Sequence, residues 1–391
     1  MSKQDSMRKP ENLRGKAAIV GIGQAGTGEM PDHSPLEILA LSVKAALDDC
    51  GLKLSDVDGL FTGSSYHFMP TVSVAEYLGI RPRFSDGSMI GGSSFVAHVL
   101  HAAMALDAGL CDVALIAYGS NQRTAGGRLI SMSEPHPFER HYEPRHPITA
   151  YALAAARHMH EYGTSRENLA DVAVAARQWA QLNPEAFARE PLTREEVLSA
   201  RMISDPLSVR DCCLVTDGGG AVIMVRAERA RDFPHAPVHF LGGATALSHR
   251  SIAQMEDLTV SAAARSGPQA YAMAGLGPKD VDVLALYDAF TINTILFLED
   301  LGFCPKGEGG RFVSDGHIAP GGALPVNTNG GGLSCVHPGM YGIFLVIEAV
   351  RQLRGICGER QVTGAETALV HGNGGTLSSQ VTTLLGTQAT L

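Results

Sequence analysis

The segment Gly51-Leu-Lys-Leu-Ser-Asp-Val-Asp-Gly-Leu60 returns in the second half of the chain as Gly275-Leu-Gly-Pro-Lys-Asp-Val-Asp-Val-Leu284. Six of the ten positions are identical: Gly51/Gly275, Leu52/Leu276, Asp56/Asp280, Val57/Val281, Asp58/Asp282 and Leu60/Leu284. Both copies follow a helical segment, Leu36–Cys50 in one case and Leu258–Ala274 in the other. Both precede an apolar strand. Ten residues alone are weak, but the shared helix–turn–strand setting reads as an internal duplication. The following elements agree. In the first half, the turn Gly91–Ser94 opens an Ala-rich helix that ends at Gly109, and the strand Asp112–Gly119 follows. In the second, His337-Pro-Gly-Met-Tyr-Gly342 opens the helix Ile343–Leu353, and the strand Thr367–His371 follows.

Strands and helices alternate around these landmarks, so the fold class is α/β. Lys16–Gly23 reads as a buried strand. Pro35–Cys50 carries helical spacing at Leu36, Leu39, Ala40, Val43, Ala46 and Leu47. Ser34 is its expected N-cap, Pro35 its first position and Gly51 its stop. Asp58–Thr62 is the next strand. The run Asp112-Val-Ala-Leu-Ile-Ala-Tyr-Gly119 has no polar alternation, which marks a strand covered on both faces. Ala221–Arg226 reads the same way. Between them, residues 121–201 turn rich in His, Arg and Glu and carry two helices, Ala150–Tyr162 and Asn168–Leu182. The expected organisation is a first half over residues 1–240, interrupted by this loop region, and a second half over residues 241–391.

The chain has 391 residues, 45% of them hydrophobic, enough to fill a core, so disorder is excluded. Its seven cysteines are scattered and sparse, without metal-ligand spacing, so neither a disulfide framework nor a zinc site is expected. A formal charge of −9 with no basic run argues against nucleic-acid binding. No apolar stretch is long enough for a membrane span. Met1–Gly15 lacks the apolar middle of a signal peptide and is expected to fray. These features point to a reduced, cytoplasmic protein.

A helix N-terminus offers free N–H groups and partial positive charge, which stabilise an oxyanion or activate a nucleophile. Two duplicated turns facing each other would bring Ser93 and Ser94 near His337. Ser93 is then either a nucleophile or a plain N-cap. His337 stands between Asn327-Thr-Asn-Gly-Gly-Gly332 and Pro338-Gly339, where glycines allow close backbone approach to a ligand. Gly92, Asn329, Gly331 and Gly374 are the positions read as ligand-binding. His371, in His371-Gly-Asn-Gly-Gly375, falls at the carboxyl end of a strand, where α/β sites gather.

Taken together, the motifs resemble the thiolase superfamily, in the branch of sterol-carrier-type thiolases and lipid-transfer-protein aldolases. Ser204-Asp-Pro-Leu207, Arg210-Asp-Cys212 and Thr216-Asp-Gly-Gly-Gly220 carry the likeness in the first half. Arg157-His-Met-His-Glu-Tyr-Gly163 carries it in the loop region. Asn329-Gly-Gly-Gly332, His337-Pro-Gly339, Arg351-Gln-Leu-Arg-Gly355 and His371-Gly-Asn-Gly-Gly375 carry it in the second half. The resemblance covers nearly the whole chain. It implies two fused βαβαβαββ halves in five α-β-α-β-α layers, an inserted loop domain and a homodimer.

The departures point to the chemistry. Thiolases place a nucleophilic cysteine in the first turn, where this chain has Ser93, and a second cysteine where it has His371. Cys335, two residues before His337, is the one candidate substitute, against the alternative of a small loop-filling residue. Tyr341 stands before Gly342, and Tyr287 opens Tyr287-Asp-Ala-Phe290 where thiolases commonly carry Asn-Glu-Ala-Phe. This pattern is similar to the lipid-transfer-protein aldolases, which cleave β-hydroxyacyl-CoA thioesters by retro-aldol reaction, notably in steroid side-chain breakdown. The implied catalytic set is Tyr341, Tyr287, His337, His371 and Ser93. No bound cofactor or metal is implied; coenzyme A comes as part of the substrate. A small OB-fold acyl-CoA-binding protein is the implied partner. Asp288 is expected to orient a neighbour or cap its own segment; Asp211 and Asp217 are expected to hold turns. His136, Arg140, His141, Arg145 and His146 are candidates for CoA phosphates, or simply solvated loop residues. Two alternatives remain open: a Claisen-type acyltransferase with a replaced nucleophile, and a non-catalytic acyl-CoA-binding subunit.

Overall fold

The computed structural model describes residues 12–125 and 137–391. The first half runs β1 (Ala17–Ala25), α1 (Pro35–Cys50), β2 (Gly59–Thr62), α2 (Pro70–Leu78), β3 (Phe84–Asp86), α3 (Ser94–Asp107) and β4 (Val113–Ser120). An insertion then holds α4 (Ile148–Tyr162), α5 (Arg166–Gln181), α6 (Arg194–Leu198) and the short pair β5 (Met202–Ser204) and β6 (Leu207–Ser208). β7 (Gly218–Arg226) closes the half. The second half runs β8 (Val238–Leu247), α7 (Ala263–Ala274), β9 (Val283–Leu286), α8 (Thr291–Asp300), α9 (Gly309–Phe312), α10 (Gly342–Leu353), β10 (Thr367–Gly374) and β11 (Ser379–Gly386).

The strands pair in the order β3-β2-β4-β7-β1-β8-β11-β10-β9. By halves, β3-β2-β4-β7-β1 is matched by β9-β10-β11-β8, and Val326 supplies the counterpart of β3 through a lone parallel bridge to Leu284. The duplication therefore extends to strand order and direction. The halves join where β1 meets β8 at Ala18↔His239 and Ile19↔Val238. Helices α3 and α10 lie between the two halves of the sheet, each touching strands of both. α1 covers the outer face of the first and α7 that of the second. This is the five-layer thiolase arrangement.

Strand burial follows from that layering. Leu115 and Ala117 of β4 face the core under α1, while Ala114 and Ile116 face the central helices. Successive side chains point to opposite faces, so an uninterrupted apolar run is what a two-sided strand requires. In α10 every residue but Arg351 is buried. Its one buried charge, Glu348, is held by the Arg360 guanidinium at 3.0 and 3.1 Å, which offsets the cost of taking it from water. α1 begins with the expected Ser34 cap, whose hydroxyl accepts from Glu37 N–H, and ends at Gly51 with φ 74°.

Two expectations change. The end of the N-terminal segment is pinned, not frayed: Gly15 N–H donates to Phe240 O at 2.8 Å, and Arg14 donates to Ala274 O and Thr390 O. Residues 1–11 lie outside the described residues. The insertion runs past Arg201 to β7, because 202–211 fold onto the insertion's helices as β5, β6 and a tight turn. Among the described helices none is long and apolar enough to cross a membrane.

Candidate active site

The site lies where the central helices begin. A methyl group on Gly342, at the start of α10, would stand 2.3 Å from Gly92 O, so the two duplicated turns touch. One on Gly92 would stand 2.2 Å from the Tyr287 hydroxyl. Only glycine permits this approach of two helix N-termini over one phenol.

Tyr287, just beyond β9, is buried. Its oxygen accepts the Tyr341 N–H at 3.0 Å, and its own hydroxyl reaches Gly339 O at 3.4 Å. Tyr341 is fully buried and donates to Asn329 Oδ1 at 3.2 Å. The His337 ring stacks on Tyr341 with centroids 5.9 Å apart, and meets Tyr287 edge-on at 5.6 Å. The two tyrosine rings are 5.6 Å apart. Burial pushes both phenols well above their ordinary pKa of 10 and lowers His337 to about 4. At neutral pH the cluster therefore holds two protonated phenols and one neutral imidazole. His337 Nε2 is buried and has no hydrogen-bond partner among the described residues. That leaves an unpaired polar atom on the ring that packs against both phenols.

Strands and turns from elsewhere hold this cluster. Tyr118, at the end of β4, donates to Pro338 O at 2.6 Å and accepts from Met340 N–H at 3.3 Å. Thr216 Oγ1 accepts the His337 N–H at 3.0 Å. Asp217 accepts N–H groups from Met30, Arg123 and Thr124, and Asp211 binds Ser208, Thr291 and Arg166; both hold turns, as expected. Tyr151 of α4 is the insertion's contribution. It donates to Gly375 O at 2.9 Å and accepts from Asn373 Nδ2 at 2.8 Å. Nothing in the Ala-rich sequence around Tyr151 signals this; the polar tip of Tyr118 at the end of an apolar strand does.

The structure leaves several expected residues out of the cluster. Ser93 stands at the N-cap position of α3 but makes no capping bond and has no adjacent base: its hydroxyl lies 2.9 Å from Ile90 O and 2.7 Å from Ser379 Oγ. Ser94 ties the turn, accepting from Ile90 N–H at 2.9 Å and donating to Gly91 O at 2.6 Å. His371 points away from the site, because its neighbour Gly372 faces α3 and side chains alternate along β10. Its ring nitrogens sit 2.9 Å from Thr382 Oγ1 and 2.9 Å from Gln380 Oε1, its edge packs on Phe297, and burial lowers its pKa to about 3. Cys335 is buried against Asn183, and burial raises its thiol far from the reactive range.

The four residues read as ligand-binding make close contacts within the chain. Gly92 lies on Tyr287. Gly331 lies on the Asp288 carboxylate, where a methyl group would stand 2.0 Å from Oδ2. Gly374 faces Ile90 O at 1.9 Å by the same measure. Asn329 Oδ1 accepts from Tyr341 and from Gly331 N–H. Asp288 caps neither its own segment nor α8; it accepts from Gly332 N–H at 2.6 Å and Leu333 N–H at 3.3 Å. In the loop region Arg140, His141 and Arg145 are exposed and His146 faces Glu139 at 3.4 Å. His136 lies outside the described residues.

Fold and site together define a thiolase-type architecture with Ser93 and His371 in place of its two cysteines, and comparison with known proteins agrees. Residues 244–387 match the thiolase C-terminal domain-like family. The chain is 35% identical to the acetyl-CoA acetyltransferase of Methanothermobacter thermautotrophicus, over 92% of this chain and 96% of that one. It is 36% identical to the 17-hydroxy-3-oxo-4-pregnene-20-carboxyl-CoA lyase of Mycobacterium tuberculosis, over 92% and 96%. The solved Ltp2-ChsH2(DUF35) aldolase superposes with a TM-score of 0.88 at 33% identity, over 97% of this chain and 100% of that one. The chain belongs to the thiolase superfamily, in its sterol-carrier and lipid-transfer aldolase branch.

Proposed function

We propose that this chain is a carbon–carbon lyase that cleaves a β-hydroxyacyl-CoA thioester by retro-aldol reaction. One observation carries the reading: Tyr287, His337 and Tyr341 converge, while the nucleophile position holds Ser93 with its hydroxyl already engaged. A serine without an adjacent base does not attack a thioester readily. Retro-aldol cleavage needs no acyl-enzyme. It needs a group to take the β-hydroxyl proton and donors where enolate charge develops.

Neutral His337, protonated on Nδ1, accepts the β-hydroxyl proton at Nε2. The Cα–Cβ bond breaks, the β-carbon becomes a carbonyl, and the electron pair moves into the thioester enolate. In the substrate complex the phenol protons of Tyr287 and Tyr341 turn from Gly339 O and Asn329 Oδ1 to the enolate oxygen. The proton held on His337 returns to the α-carbon, releasing a shortened acyl-CoA. Coenzyme A enters and leaves as part of substrate and product. The relative that is a 17-hydroxy, 20-carboxyl-CoA lyase supports a β-hydroxy thioester, and a steroid side chain is the substrate class it favours. The neighbour solved as an Ltp2-ChsH2(DUF35) pair supports a second component, for which a small OB-fold acyl-CoA-binding protein is the candidate. A homodimer and a cytoplasmic location complete the reading; seven free thiols suit a reducing compartment.

The competing reading is CoA-dependent acyl transfer, favoured by the acetyltransferase relative. Incubation with a 3-oxoacyl-CoA and free CoA, beside a β-hydroxyacyl-CoA alone, separates the two. Thioester cleavage without added CoA is the expected result. CoA-dependent shortening that vanishes in Ser93→Ala would overturn it. No turnover in any complex would leave a non-catalytic acyl-CoA-binding subunit.

A further inference from the structure

We infer that Asp288 is a positioning residue of this site: its carboxylate clamps the turn Asn329–Leu333 and thereby sets Asn329, Tyr341 and His337 in their working geometry. The inference rests on the lyase reading above. Asp288 follows Tyr287 at the end of β9. One residue enters the aromatic cluster and the next turns to the glycine-rich segment behind it.

The contacts are specific. Asp288 is fully buried, and its two oxygens accept from Gly332 N–H at 2.6 Å and Leu333 N–H at 3.3 Å. The Asn327 carboxamide adds to the stabilisation of its charge. No cation pairs with it among the described residues. Gly331 has φ 65° and lies on the carboxylate, so the turn cannot shift while the clamp holds. Gly331 N–H donates at 2.8 Å to Asn329 Oδ1, the same atom that accepts the Tyr341 hydroxyl. On the other side a methyl group on Gly332 would stand 3.1 Å from His337 Cδ2. One carboxylate thus governs the acceptor of Tyr341 and the seat of the imidazole.

Burial raises Asp288 to about 7, against the N–H donors that lower it. The titratable groups around it are Tyr341 and Cys213, both held protonated by burial, with Tyr287 before it and His337 beyond Gly332. Protonation weakens charge-assisted N–H bonds, so the clamp relaxes as pH falls.

The test is kcat and KM against pH for wild type and Asp288→Asn, with melting temperatures, using the β-hydroxyacyl-CoA cleaved by the wild type. Wild-type kcat should fall on the acid side with a midpoint near pH 7. Asp288→Asn should fold, lose at least about tenfold in kcat with KM within about threefold, and show no such limb. Gly331→Ala, which strikes the same contact from the other side, should reproduce the kcat loss. A folded Asp288→Asn with wild-type kcat and pH profile overturns the inference. If neither variant folds, a wild-type profile flat through pH 7 overturns it as well. A wild type that cleaves no β-hydroxyacyl-CoA overturns the lyase reading instead.

Discussion

The two halves of this molecule carry the same turn in the same place and use it differently. The first, Gly91–Ser94, is closed on itself: the hydroxyls of Ser93 and Ser94 are spent on Ile90, Gly91 and Ser379. The second, His337–Gly342, leaves His337 Nε2 unpaired and carries Tyr341 against Tyr287. Duplication supplies two helix N-termini, and their fields add wherever the ends meet. Reactive groups need stand on one side only. The first turn then serves as an electrostatic wall, and its Gly92 as the surface on which Tyr287 rests.

The largest expected effect tests that asymmetry directly. Tyr287→Phe and Tyr341→Phe should each lower kcat for thioester cleavage by about 10²–10⁴-fold while the protein still melts cooperatively. Activity within tenfold of wild type in both would place the chemistry elsewhere. Gly92→Ala probes the wall. A methyl group cannot fit 2.2 Å from the Tyr287 oxygen, so stability should drop by about 1–3 kcal/mol in denaturant melts, with cleavage impaired.

Acid stability comes next. His337 and His98 have pKa values lowered to about 4, and His371 to about 3, in each case chiefly by burial of the charged form. An unfolded histidine titrates near 6.5, so between about pH 6.5 and 4 the unfolded state binds more protons. The histidine contribution should be full above pH 6.5 and fall with acid, by up to ~1.4 kcal/mol per pH unit for each, while Asp288, raised to about 7, offsets one of them below pH 7. Urea melts of wild type and His371→Gln at pH 7.5 and 5 would check this; equal slopes would remove His371 from the account. The smallest effect is at Ser93. Ser93→Ala removes one hydroxyl bonded to a carbonyl and should cost about 0.5–1.5 kcal/mol, with cleavage within threefold. A hundredfold loss would restore a catalytic first turn.

Much of this was legible in the chain before folding was considered. The segments at Gly51 and Gly275 announced the duplication, and the turns at Gly91 and His337 fell at helix starts as read. Tyr287, His337 and Tyr341 were all identified and are brought together. The two candidates that lie outside the cluster share one cause. His371 and Ser93 lie in the right segments, but one faces the wrong side of its strand and the other turns into its own loop. Motif position says which segment reaches a site. It does not say which side chain of that segment faces inward, because strand alternation and rotamer choice are settled by what packs against each face. Tyr151 was invisible for the complementary reason: it arrives from an insertion whose docking has no local signature.

The sequence by itself determined two like halves, the strands buried on both faces, the helix starts and the absence of a thiol at either thiolase position. Those are properties of local pattern and residue chemistry. Only the tertiary structure decided that Gly92 and Gly342 touch, that Asp288 grips a turn forty-odd residues away, and that one imidazole nitrogen stays unpaired. Each of these depends on long-range packing of α3, α10 and β9, in which a single ångström decides whether two backbones can meet.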